Sequence, residues 1–132
     1  MSIIEFLNAR LDEDEAYART AFADHNEAEP GWSEPWSGGV QVGPHEDVIL
    51  TFDSGVSRHM VRHDPARVLR EITAKRALLR AHPFEPYADE PSEGFCAECQ
   101  RGGSAGVWPC PTVRIMSAVY ADHPGYRQEW AP

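Results

Sequence analysis

Residues 83 to 109 hold Pro83, Pro86, Pro91, Gly94, Gly102, Gly103, Gly106 and Pro109, a density of breakers that predicts almost no regular structure over 27 residues. A loop of that length is uncommon in a compact domain unless something ties it down. The stretch carries a candidate tie of its own. Cys96-Ala97-Glu98-Cys99 is a C-x2-C knuckle, a spacing that lets two thiolates share one ion while backbone N–H groups donate to the sulfurs. Cys110 adds a third thiol after ten intervening residues, three of them glycines that leave the connection free to return.

Three thiols in one loop point to structural Zn2+, which is ordinarily four-coordinate and closed. No fourth cysteine exists, so the last ligand is sought among six histidines. His82 is the preferred choice, because it ends a helix-like segment 14 residues before Cys96 and would anchor the loop to the scaffold. His123, His63 and His59 are the alternatives. A histidine at the end of a helix is also explained simply by its favourable interaction with the helix dipole. A redox role for Cys96 and Cys99 competes with metal binding. A thioredoxin-like motif opens a helix after a strand, however, whereas this pair sits among prolines and glycines with a third thiol nearby.

The rest of the chain reads as an α+β scaffold in one domain, an ordinary size for 132 residues. Ser2 and Glu5 have capping-box spacing, and Ile4, Leu7, Leu11, Ala18 and Phe22 recur at helical intervals, so a helix is expected over residues 2–26. The acidic run Asp12 to Glu15 points around that helix and reads as a solvated face. Trp32 and Trp36, in a Pro/Gly-rich loop, are expected to cover the core. Val40, Val42 and the run Val48 to Phe52 suggest a β-hairpin, with a third strand from Val56 to Met60, giving a small antiparallel sheet over 39–60. Asp64 as N-cap and Pro65 at the first helical position start a helix over 65–82. Residues 83–110 form the zinc-binding loop, and Pro111 opens a short helix over 111–121, after which Tyr126 and Trp130 fold back.

Charge narrows the function. With 21 acidic against 12 basic residues, a formal net charge of -9 opposes phosphate backbones, so nucleic acid is disfavoured as a partner. No run approaches the roughly 20 apolar residues of a membrane span, the start lacks a signal peptide's basic and apolar regions, and free thiols suit a reducing compartment. A cytoplasmic location is expected. Eleven of the 12 basic residues are arginine, a bias that suggests a GC-rich genome.

Catalytic signatures are weak. His59-x3-His63 could hold zinc on a helix, but Met60 stands where a hydrolase would place glutamate, and Pro65 breaks the helix soon after. Gly102-Gly103-Ser104-Ala105-Gly106 lacks the lysine and spacing of a phosphate-binding loop.

Phe6 to Glu15, Arg62 to Leu69 with Ala74-Lys75-Arg76, and Tyr120 to Tyr126 together resemble a family of small actinobacterial and actinophage proteins, over nearly the whole chain. The segment from His82 through Cys96-x2-Cys99 to Trp108-Pro109-Cys110-Pro111-Thr112 is similar to a zinc-binding stretch of short proteins from such genomes. The likeness implies His82, Cys96, Cys99 and Cys110 as the ligand set and implies no reaction. The expectation is a structural-zinc module that binds another protein. The competing readings are a regulatory protein using Arg58, Arg62, Arg67, Arg70 and Arg76 on nucleic acid, and a metal enzyme using His59 and His63.

Overall fold

The computed structural model describes residues 1–21, 31–42, 48–51, 53–103 and 106–132. They form an α+β fold of helices with two small antiparallel sheets. The chain divides into two compact units, one made of residues 1–12 with 73–132 and the other of residues 13–72.

Helix α1 spans Ile3–Thr20 and starts where local chemistry dictates. The Ser2 N–H donates to the Glu5 carboxylate at 2.7 Å and the Glu5 N–H to the Ser2 hydroxyl at 3.2 Å, a complete capping box. These bonds hold the Glu5 carboxyl below its usual range. In the first unit α1 buries Ile3, Phe6, Leu7 and Leu11. Ile4, expected on this face, is only partly covered, because the buried stripe is turned toward Ile3 and Phe6. The expected continuation through Phe22 to residue 26 lies outside the described residues.

Phe6 is the hub of that unit's aromatic core, its ring 5.1 Å from Trp130 and 5.5 Å from His123, with Tyr120 and Tyr126 at 6.3 Å. Trp130 is buried, so the C-terminal segment folds back as expected. Arg114 fastens it there by donating to the backbone oxygens of Pro109, Glu129 and Ala131 at 3.0 to 3.3 Å.

In the second unit, β1 (Gly39–Gln41) pairs antiparallel with β2 (Val48–Leu50), setting fully buried Val40 opposite Ile49. Gly38 turns the chain into β1 at φ +86°, a conformation that glycine adopts without steric cost. The expected third strand is instead helix α2, Ser54–Arg62. Asp53 caps this helix through a 2.5 Å bond from the Gly55 N–H. Val56 and Met60 stand at i,i+4 spacing as well as at strand parity, so the cap decides between the two readings. Trp36 also departs from expectation: it is 54% exposed and lies over Gly39 at the surface, while Trp32 is half-buried.

Helix α3 runs Pro65–Ala81, close to the expected 65–82, and Asp64 accepts the Arg67 N–H at 2.7 Å. Regular structure then continues where little was expected. β3 (Phe84–Pro86) pairs antiparallel with β4 (Gly94–Cys96), and α4 (Ala97–Arg101) follows directly. The prolines do not prevent this, since Pro86 lies in an edge strand, where a missing N–H is tolerated. Gly94 is required in β4, because a Cβ there would lie 2.2 Å from the Glu85 carbonyl oxygen. Helix α5, Pro111–Ser117, extends by a 3-10 turn to Tyr120, in keeping with the expected 111–121.

Candidate metal centre

Three local elements aim four side chains at one point. His82 follows the last turn of α3, its N–H still bonded to the carbonyls of Leu78 and Leu79. Cys96 ends β4 and is the N-cap residue of α4, so Cys99 lies one turn farther along that helix. Cys110 precedes Pro111 as the N-cap residue of α5. The loop between the cysteines is drawn in by the Cys96 N–H, which donates to the Gly106 carbonyl at 2.8 Å, and by a bridge between Phe95 and Val107.

The His82 Nδ1 atom stands 3.5 Å from the Cys96 sulfur, 3.7 Å from that of Cys99 and 3.8 Å from that of Cys110. All four ligand atoms lie within 4.8 Å of one another. A tetrahedral ion with Zn–S near about 2.3 Å and Zn–N near about 2.0 Å requires sulfur-to-nitrogen edges of about 3.6 Å. The observed spacings therefore match a tetrahedron whose centre would take a metal ion. Cys96 and Cys110 are fully buried, His82 and Cys99 partly so, and all three thiols are free.

Proton affinities in the cluster are split. Burial pushes the Cys96 thiol up, but bonds from the Cys99 backbone N–H, from His82 and from the other two thiols outweigh it and bring Cys96 down to about 7. Cys99 is pushed up to about 12, by burial and then by Cys96 and Cys110, beside which a second negative charge is repelled. A cation at the centre reverses that repulsion, which is the chemistry a thiolate site supplies to a divalent metal.

Among the described residues, the other histidines have other partners. His123 contacts Arg10 and the Phe6 ring and accepts the Gly125 N–H at 2.9 Å. His59 and His63 stack with ring centres 4.5 Å apart on exposed α2, where His63 is the C-cap residue. Among the described residues, the group of three or more metal-capable side chains that converges is the set of His82 and the three cysteines. Of the five arginines considered for nucleic acid, Arg58 pairs with Glu34, Arg67 with Glu71 and Arg76 with Asp12. No helix among the described residues is long and apolar enough to cross a membrane.

Sequence reasoning missed the hairpin that carries the site, and with it the packing of Trp108 on Phe84 at 5.2 Å. The signal was the pair of short aromatic-bearing segments, Phe84 to Tyr87 and Gly94 to Cys96, across a turn region with Asp89 and Pro91.

Compared with known proteins, the chain matches over residues 1–132 the family described as "Family of unknown function (DUF6221)". No curated protein and no solved structure matches it.

Proposed function

The chain belongs to this family of unknown function, DUF6221, and from that premise we propose that it is a structural-zinc protein acting as an interaction module for another protein. His82, Cys96, Cys99 and Cys110 would be the ligands. One observation carries the reading: an imidazole nitrogen and three thiol sulfurs, from three separate elements, converge with spacings of a tetrahedral site.

Zinc fits this donor set better than magnesium or calcium, which seek oxygen ligands. Four protein donors fill a tetrahedral shell and leave no position for a catalytic water, which favours a structural over a hydrolytic role. The module reading draws support from the acidic surface, which steers basic partners, and from large apolar side chains such as Ile115 and Val119, about 60% exposed on α5 and its 3-10 extension. Thiolate ligation suits a reducing compartment such as the cytoplasm.

The test is metal analysis of the purified chain beside Cys99→Ser. The proposal expects one zinc per wild-type chain, its loss in the variant, and a fall in Tm of more than about 10 °C, because metal-binding energy here is folding energy. Equal stability of the two proteins, with no metal in either, would refute it.

A further inference from the structure

The β3–β4 hairpin carries a second feature besides its candidate metal ligand. A cleft of about 400 Å³ is lined by Phe84, Tyr87, Glu93, Gly94, Val107 and Trp108, with Ser92 at its edge. Its walls are aromatic: Phe84 packs on Trp108 with ring centres 5.2 Å apart, and Tyr87, 44% exposed, is backed by Phe95 at 5.6 Å. The floor is open only because residue 94 is glycine, since a side chain there would run into the Phe84 ring, 2.5 Å away. The rim is held in shape, with the Tyr87 N–H donating to the Glu93 carbonyl at 2.9 Å and the Glu93 N–H to the Glu90 carbonyl at 3.0 Å.

The charged residue in the lining of this cleft is Glu93. Residues 83–97 contain Glu85, Asp89, Glu90 and Glu93 and no lysine, arginine or histidine. Aromatic faces carry negative quadrupole potential, and a cation over them gains further from a nearby carboxylate. An anionic ligand would be repelled by the Glu93 carboxylate, and a purely apolar one would gain nothing from it.

We infer that the Tyr87–Trp108 cleft, with Glu93 at its rim, binds a lysine side chain of a basic segment in a partner protein. This rests on the reading of the chain as a protein-interaction module and names the chemistry of its partner. Phe84 and Gly94 of the cleft and Cys96 of the candidate metal site belong to one ladder, so the two sites share one support while using different residues.

The test is titration of the isotopically labelled, zinc-loaded full chain with a short Lys-Gly repeat peptide, followed by NMR. The same peptide with every lysine acetylated is the control, since acetylation removes the charge and keeps the stem. Saturable shifts are expected at the amides of Tyr87, Glu93, Gly94 and Val107 and at the Trp108 indole N–H, with acetylation weakening binding about tenfold. Tyr87→Ala should weaken it comparably. Glu93→Gln, at an exposed position, should weaken it about fivefold while leaving zinc content unchanged. The inference is overturned if the acetylated peptide binds equally, or if the shifts fall on the acidic run of α1 and leave the cleft untouched. Either result, obtained on protein that holds one zinc, leaves the metal site standing and removes only the cleft's role.

Discussion

Phe84 stands directly opposite Cys96 in the β3–β4 ladder, and the Ala97 N–H extends that ladder by donating to the Pro83 carbonyl at 3.1 Å. His82 is the next residue back, so the end of α3 and this backbone pairing together set its ring beside the knuckle. Two of four candidate ligands are therefore oriented by the hairpin, Cys99 follows on α4, and the bond from the Cys96 N–H to the Gly106 carbonyl draws the glycine-rich connection in ahead of Cys110. The organisation reduces the ordering entropy that binding would otherwise have to overcome.

Metal uptake should release protons. Cys96, at about 7, is half protonated at pH 7, and Cys99, at about 12, is wholly protonated there. Zinc takes the thiolates, so both give up protons on binding, and affinity falls as pH falls, more steeply once Cys96 protonates below about 7. Calorimetry in buffers of different ionisation enthalpy should find more than one proton released per ion at pH 7. Proton-neutral binding would contradict the thiolate assignment.

Gly94→Ala should damage both faces of the hairpin. The added Cβ would lie 2.2 Å from the Glu85 carbonyl oxygen and 2.5 Å from the Phe84 ring, so the ladder must shift. Overpacking of this kind costs about 1–3 kcal/mol. Thermal unfolding should show that loss, and competition with a chelator should show weaker zinc retention, because Cys96 ends the displaced strand.

In the other unit, Glu34 offers a pH-dependent contact. The fully buried Ser57 hydroxyl donates to its carboxylate at 2.7 Å, with the Gly38 N–H and Arg58 contributing less, and its pKa is lowered. A lowered carboxyl contributes stability above its unfolded pKa and loses it as pH falls through the folded value. Ser57→Ala should raise the Glu34 pKa toward the ordinary range and flatten this part of the acid-stability profile. An NMR titration of Glu34 in both proteins checks the direction; an unchanged midpoint would exclude Ser57 as the cause.

Local signals in the sequence were the readable ones. The Ser2/Glu5 box and the Asp64-Pro65 start lie within one helical turn of the structure they specify, and both helices begin as expected. The clustering of His82 with the three cysteines was legible because cysteine spacing and the end of α3 are also local. Pairings between distant residues were not. Phe84 and Cys96 are 12 residues apart in a stretch whose prolines suggested irregularity, so a three-residue ladder was hidden. At Val56 to Met60, β-branched and apolar residues suggested a strand, whereas the Asp53 cap and the burial of Ser57 on one side favour the helix. Size favours a covered position for Trp36, yet it lies at the surface.

The central claim is that one zinc ion joins His82, Cys96, Cys99 and Cys110. X-ray absorption at the zinc edge on the purified chain tests it most directly. The account predicts one zinc per chain with three sulfurs at about 2.3 Å and one nitrogen at about 2.0 Å, and loosening of the C-terminal half on chelation. A stable protein without metal, or a shell that includes water oxygen in place of one of these ligands, would contradict it.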